Sequence, residues 1–232
     1  MIRLDPRFDP KLDDDDEPDA PDSPDEPDVP EPRGPEPKEP SDNKTLSSPI
    51  NELESRLLKQ RKVLIFGAIN DKLARDVTGR LLALASEGDG PIDVFVNSPG
   101  GHVESGDTIH DMIRFVGASV PVRMIGTGWV ASAGALIYLA AQKKYRVCLP
   151  NTRFLLHQPM GGVRGPATDI DIEAREIIKM RERINRIIAR ETGQSFERIV
   201  DDTDRNYWMG AEEAIAYGMC DRIIHSAEDL TV

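Results

Sequence analysis

The chain has 232 residues, enough for one ordinary domain with an extension, and 30% of them are charged. Its net charge of −12 is concentrated at one end: residues 1–42 hold 16 acidic and 5 basic residues, and the rest holds 25 acidic against 24 basic. That balance argues against a nucleic-acid partner, and no apolar run approaches the length of a membrane span.

The first 42 residues also carry 11 of the 18 prolines and few branched apolar or aromatic side chains. Such a segment buries too little surface to offset its chain entropy, so residues 1–48 read as an acidic, disordered tail and linker. The tail resembles neither a secretory signal, which needs an apolar stretch, nor a transit peptide, which is poor in acid. A polar linker is expected over about 43–52, and the folded domain is placed at 49–232.

Apolar periodicity then takes over. VLIFG reads as a buried strand, followed by a helix over NDKLARDVTGRLLALASEG with Leu73, Val77, Leu81 and Leu84 on one face. Asn70 or Asp71 is positioned to cap its start and Gly88 to end it. IDVFVN reads as strand and HVESGDTIHDMIRFVG as helix, with Gly106, Ile109, Ile113 and Val116 aligned. VPVRMIG is strand and ASAGALIYLAAQ helix. Three strand-then-helix units in succession predict parallel strands joined by crossover helices.

The second half changes character. YRVCLP and TRFLLH read as two strands without an intervening helix. A glycine-rich turn, MGGVRGPA, leads into a long amphipathic helix from Thr168 to about Thr192, closed by Gly193. Its stripe runs through Ile170, Ile177, Ile184 and Ile188, widened by Ile178 and Ile187. The stripe is suited to packing on its own domain or to a contact between copies, and so long a helix beyond the compact repeat favours the second. Short helices follow near Phe196–Val200 and Ala211–Tyr217, the latter ended by Gly218. Cys148 and Cys220 lie far apart in sequence, without a CxxC or a histidine at ligand spacing, which argues against zinc. Cys148 sits in a predicted strand and reads as a buried reduced thiol, in keeping with a cytoplasmic setting.

Three features fall at strand ends. NSPGG, residues 97–101, is a turn whose glycines bare backbone amides, suited to a simple reversal or to an oxyanion. Ser132, in VASAG, is placed either to cap a helix or to act as a nucleophile among small neighbours, Ala131, Ala133, Gly134 and Ala135. Val130 replaces the first glycine of a GxSxG elbow, which weakens an α/β-hydrolase reading. His157 ends an apolar strand in FLLHQPMGG, as a satisfied polar residue or as a base. His102, His110 and His225 sit in polar helical or terminal contexts and receive no role.

Taken together, NSPGG, ASAGA, LPNTRFLLHQPMGGVRGPATDIDIEAREI and GAEEAIAYGMCDRI resemble the proteolytic subunits of the Clp protease family, over about residues 54–226. The resemblance implies an α/β, crotonase-like fold of repeated ββα units with a long handle helix. It implies a serine endopeptidase acting on unfolded proteins and peptides, in stacked seven-membered rings, with or without a paralogue, fed by a Clp-family unfoldase ATPase. It implies no metal or organic cofactor, no nucleic acid and no membrane. Residue by residue, Ser132 matches the nucleophile, His157 the general base, and the backbone amides of Gly101 and Ala133 the oxyanion donors.

The pattern departs from the family in three places. The third triad position, an aspartate in the family, is Asn206 in DDTDRNYWMG, with Asp202 and Asp204 as nearby acids. The stretch SVPVRMIGTGWVAS is about two residues longer than the family's and carries the bulky Trp129. The acidic, proline-rich tail occupies the region before the segment that lines the axial pore in the family. Two other readings follow: a weakly active or structural subunit of a mixed ring, because of Asn206, and an acyl-CoA enzyme on the shared fold, which would not need Ser132 and His157 together.

Overall fold

A computed structural model describes residues 49–230, with side chains from residue 52. The expectations for the tail, residues 1–48, lie outside the described residues. Helix α1 spans Pro49–Lys59, so the linker expected to reach residue 52 gives way to helix three residues earlier. Glu52 in its first turn and Arg56 and Lys59 in its last complement the helix dipole, and Arg56 pairs with Glu52 at 2.6 Å. Spacing at i, i+4 on an exposed polar face is what a reading based on apolar runs passes over.

The core alternates as expected. Strand β1 (Lys62–Phe66), helix α2 (Asp71–Glu87), strand β2 (Ile92–Ser98), helix α3 (Val103–Gly117) and strand β3 (Val122–Ala131) follow in order, with β1–β2 and β2–β3 parallel. Asn70 caps α2, its side chain accepting from the Leu73 amide at 2.9 Å. Val77, Leu81 and Leu84 on α2, and Ile109, Ile113 and Val116 on α3, are buried against the sheet. His110 is a correction: it shares that buried face of α3, and burial pushes its pKa below the ordinary histidine value.

Strand β3 runs further than the VPVRMIG reading and forks. Its first part, Met124–Gly126, pairs with β4 (Arg146–Cys148); its second, Trp129–Ala131, pairs with β5 (Arg153–Leu156). The register against β2 shifts between Val96 and Ser98, and Asn97 fills the break by accepting from the Trp129 amide at 3.1 Å. Two further short strands join the sheet: β6 (Tyr207–Met209), antiparallel to β5, and β7 (Arg222–Ile223), parallel to β4. At two and three residues they are too short for any periodicity to show.

Helix α4 (Ala133–Tyr138) is wholly buried, which explains its small apolar composition. The long helix α5 (Ala167–Thr192) buries only its second half, through Ile184, Asn185, Ile188 and Thr192. Ile170 and Ile178 of the predicted stripe are exposed in the single chain, as is Ile172 beside it. Gly193 ends α5 in the left-handed conformation, α6 spans Phe196–Asp202, and α7 spans Ala211–Tyr217. Cys148 and Cys220 are both buried thiols with their Sγ atoms 3.7 Å apart. The contact with Cys148, together with burial, pushes the Cys220 thiol far above the ordinary thiol range. Among the described residues, no helix is long and apolar enough to cross a membrane, and no group of three or more His, Cys, Asp and Glu is placed to hold a metal ion.

Candidate active site

Ser132 stands between the end of β3 and the start of α4, the position of a helix N-cap. Its side chain makes no capping hydrogen bond, so that role is not what holds a serine here. Its backbone has φ 55° and ψ −123°, a conformation that costs a non-glycine residue on the order of 1–3 kcal/mol. The surroundings fix it there. The Ser132 amide donates to the Leu155 carbonyl at 2.9 Å, and the Ser132 carbonyl accepts from the amides of Ala135 and Leu136. The effect is a sharp strand-to-helix turn with the hydroxyl left uncommitted.

The NSPGG turn packs directly against this serine. Gly100 has φ +98°, and a Cβ added to it would stand 2.5 Å from the Ser132 Cβ. Gly101 has φ +153°, and its Cβ would meet the Ile69 carbonyl oxygen at 2.2 Å. A parallel bridge joins Ile69 to Gly101, in which the Gly100 carbonyl accepts from Ile69 and the His102 amide donates to Ile69, both at 2.9 Å. That ladder engages the residues on either side of Gly101 and leaves its own N–H uncommitted. The Ala133 N–H, in the first turn of α4, is free for the reason all first-turn amides are. Small residues make the close packing possible: a Cβ on Gly134 would touch Ser98, and one on Gly106 would touch Ala133, each at 3.1 Å.

His157 follows the last residue of β5, half-buried, and burial pushes its pKa below the ordinary histidine value. Ser132 and His157 line one pocket with Ala133, Leu136, Ile184 and Ile188. The two side chains, 25 positions apart in sequence, are therefore brought together. Among the described residues neither the Ser132 hydroxyl nor the His157 ring is hydrogen-bonded, so neither must break a bond to reach the other.

The third position follows from strand register. In the antiparallel β5–β6 pair, Leu156 lies opposite Tyr207. His157 directly follows β5 and Asn206 directly precedes β6, so the two stand at the same end of this pair. Asn206 is exposed and its side chain makes no hydrogen bond among the described residues. The nearby acids are engaged elsewhere. Asp202 accepts from the Tyr217 hydroxyl at 2.7 Å and from Arg198 at 3.3 Å. The Asp204 carboxylate lies 3.4 Å from Arg181 and 3.1 Å from Arg205. Asn206 itself is neutral.

Two residues that the sequence did not single out tie these loops together. The Gln158 amide donates to the Thr203 carbonyl at 2.6 Å, and the Gln158 side chain donates to the Asp204 carbonyl at 2.8 Å. Thr203 is fully buried, and its hydroxyl lies 3.2 Å from Asn185 Oδ1 on α5 and 2.7 Å from the Ile199 carbonyl. The His157 loop and the Asn206 loop are thus pinned to each other and to the long helix. A threonine three residues before Asn206 carries no sequence signal for this.

Comparison with known proteins gives the family. The family described as Clp protease matches residues 47–227. The chain is 79% identical over 189 residues to the ATP-dependent Clp protease proteolytic subunit 2 of Gluconobacter oxydans, covering 82% of this chain and 85% of that one. It is 58% identical over 190 residues to the ATP-dependent Clp protease proteolytic subunit 3 of Rhizobium etli, covering 82% and 97%. Among solved structures, ClpP1 from Listeria monocytogenes and an asparagine-to-aspartate mutant of it are similar at TM-scores of 0.70 and 0.72, each 54% identical and covering 77% of this chain and 99% of that one.

Proposed function

The chain belongs to the Clp protease family, and from that premise we propose that Ser132 is its nucleophile, His157 its general base, Asn206 the residue that orients the imidazole, and Gly101 and Ala133 its oxyanion donors. It is a serine endopeptidase of the Clp type. The observation that supports the residue assignment best is Ser132 itself: a strained backbone, an uncommitted hydroxyl, and a pocket shared with His157.

The chemistry follows from those groups. His157, kept neutral by partial burial, takes the proton of Ser132 as its oxygen attacks the peptide carbonyl. The developing oxyanion is met by the N–H groups of Gly101 and Ala133. Collapse breaks the C–N bond, and His157 returns its proton to the leaving amine. Water then attacks the acyl-serine with His157 again as base, releasing the acid and restoring the hydroxyl. Asn206 can orient the ring by accepting from Nδ1–H through its amide oxygen, but it adds no anion to stabilise the imidazolium. A slow or partner-activated peptidase is the consequence.

Members of this family associate with Clp ATPases and form ring-shaped oligomers. For this chain we infer stacked seven-membered rings, alone or with a paralogue, in the cytoplasm, receiving unfolded chains from an unfoldase. The exposed isoleucines on the first half of α5 support a contact between copies. A second reading, a weakly active ring subunit, draws on the neutral Asn206.

Fluorophosphonate labelling with peptide cleavage tests the assignment. Labelling and cleavage are expected in the wild type and lost in Ser132→Ala at unchanged assembly mass. Cleavage that survives in Ser132→Ala overturns the nucleophile. Labelling with no cleavage in any assembly favours the second reading.

A further inference from the structure

Two indoles stand out on the described surface, Trp129 at 48% and Trp208 at 36% exposure. They meet edge to face with ring centroids 6.1 Å apart, and the Arg153 guanidinium lies over Trp208 at 4.4 Å. Strand register makes the cluster. Val130, Phe154 and Met209 are neighbours across β3, β5 and β6 and are buried in the core. Alternation places Trp129, Arg153 and Trp208 on the opposite face.

The three strands that carry these side chains are the three that reach the reacting groups. β3 ends one residue before Ser132, β5 ends one residue before His157, and β6 begins one residue after Asn206. At a rise of roughly 3.3 Å per residue, Trp129 lies three strand positions, about 10 Å, from Ser132, and Trp208 two positions, about 7 Å, from Asn206. A polypeptide drawn across Ser132 covers that span within two or three residues of the bond being cut.

We propose that Trp129 and Trp208, with Arg153 steadying the second ring, form a ledge that binds an aromatic side chain of the polypeptide substrate two or three residues from the scissile bond. An aromatic ring suits two indoles that already meet edge to face and still leave apolar area in water. The ledge sets which segment of an unfolded chain rests at the site, and so acts in specificity rather than in bond breaking. The proposal rests on Ser132 as nucleophile.

The chain has two tryptophans, both on the ledge, so selectively excited tryptophan emission reports on it alone. The test uses the assembled full-length protein and fluorogenic peptides identical except for Phe or Ala two or three residues from the cleaved bond. The Phe peptides are expected to show a kcat/KM about threefold to tenfold higher, mainly through KM. Trp129→Ala and Trp208→Ala should bring that ratio close to one, and Trp129→Phe should keep most of it. In Ser132→Ala, the Phe peptide should shift tryptophan emission on binding without being cleaved. A ratio of one in the wild type, a ratio unaffected by the tryptophan variants, or loss of the assembly in those variants overturns the ledge. Continued cleavage by Ser132→Ala instead overturns the nucleophile and leaves the emission shift as a separate reading of the ledge.

Discussion

The two sides of the Ser132 pocket are built by different means. On one side, backbone does the work: a strained serine, the Gly100–Gly101 turn pressed against it, and the buried helix α4 behind. On the other, two loops at the ends of a short antiparallel pair carry His157 and Asn206, held by a few hydrogen bonds through Gln158 and Thr203. The first side tolerates almost no change of shape. The second is half-exposed and adjustable, and it is there that the chain departs from the family's aspartate.

The comparison can be broken first at its rigid side. Ser132→Ala should lower peptide turnover by at least about 10⁴-fold, measured with a fluorogenic peptide at unchanged assembly mass. Gly100→Ala should be the most damaging change nearby that leaves every reacting atom in place. Its methyl would overlap the Ser132 Cβ in a conformation that L-residues avoid, so chemical denaturation should show a loss of about 2–4 kcal/mol, with turnover falling as well.

The adjustable side should respond in the other direction. Asn206→Asp sets an anion at the His157 end of the strand pair and should raise turnover by about tenfold or more. No gain in a variant that still assembles counts against Asn206 as the orienting residue. The pH profile sharpens the same point. His157 works as a base only when neutral, so activity falls as pH drops through its pKa, and burial sets that acid limb below the ordinary histidine value. Asn206→Asp favours the imidazolium and should move the limb upward. The smallest effect is expected at the pin: Thr203→Val removes the hydroxyl bonded to Ile199 and paired with Asn185, at about 1–3 kcal/mol by thermal or chemical unfolding.

The first half of the fold was legible because each element is long enough for its apolar period to show. Leu81, Leu84, Ile109 and Ile113 all fall on the faces that their spacing predicts. Ser132, His157 and the glycine turn, which the structure gathers around one pocket, stood out in the sequence because bare amides and an uncrowded hydroxyl leave a mark on composition. What escaped was set by pairing rather than period. β6 is three residues long, yet its pairing with β5 is what sets Asn206 and His157 at the same end of one strand pair. The burial of His110 escaped because polar neighbours in sequence disguised the helix face it shares with Ile109 and Ile113. The long helix has the extent its spacing predicts, and Ile170 and Ile178 of its stripe meet no partner surface within their own chain.

The fork in β3 has a mechanical consequence. Because Ser132 donates its amide to the Leu155 carbonyl, two residues before His157, the strand that leads to the imidazole is latched by its backbone to the turn that holds the alcohol.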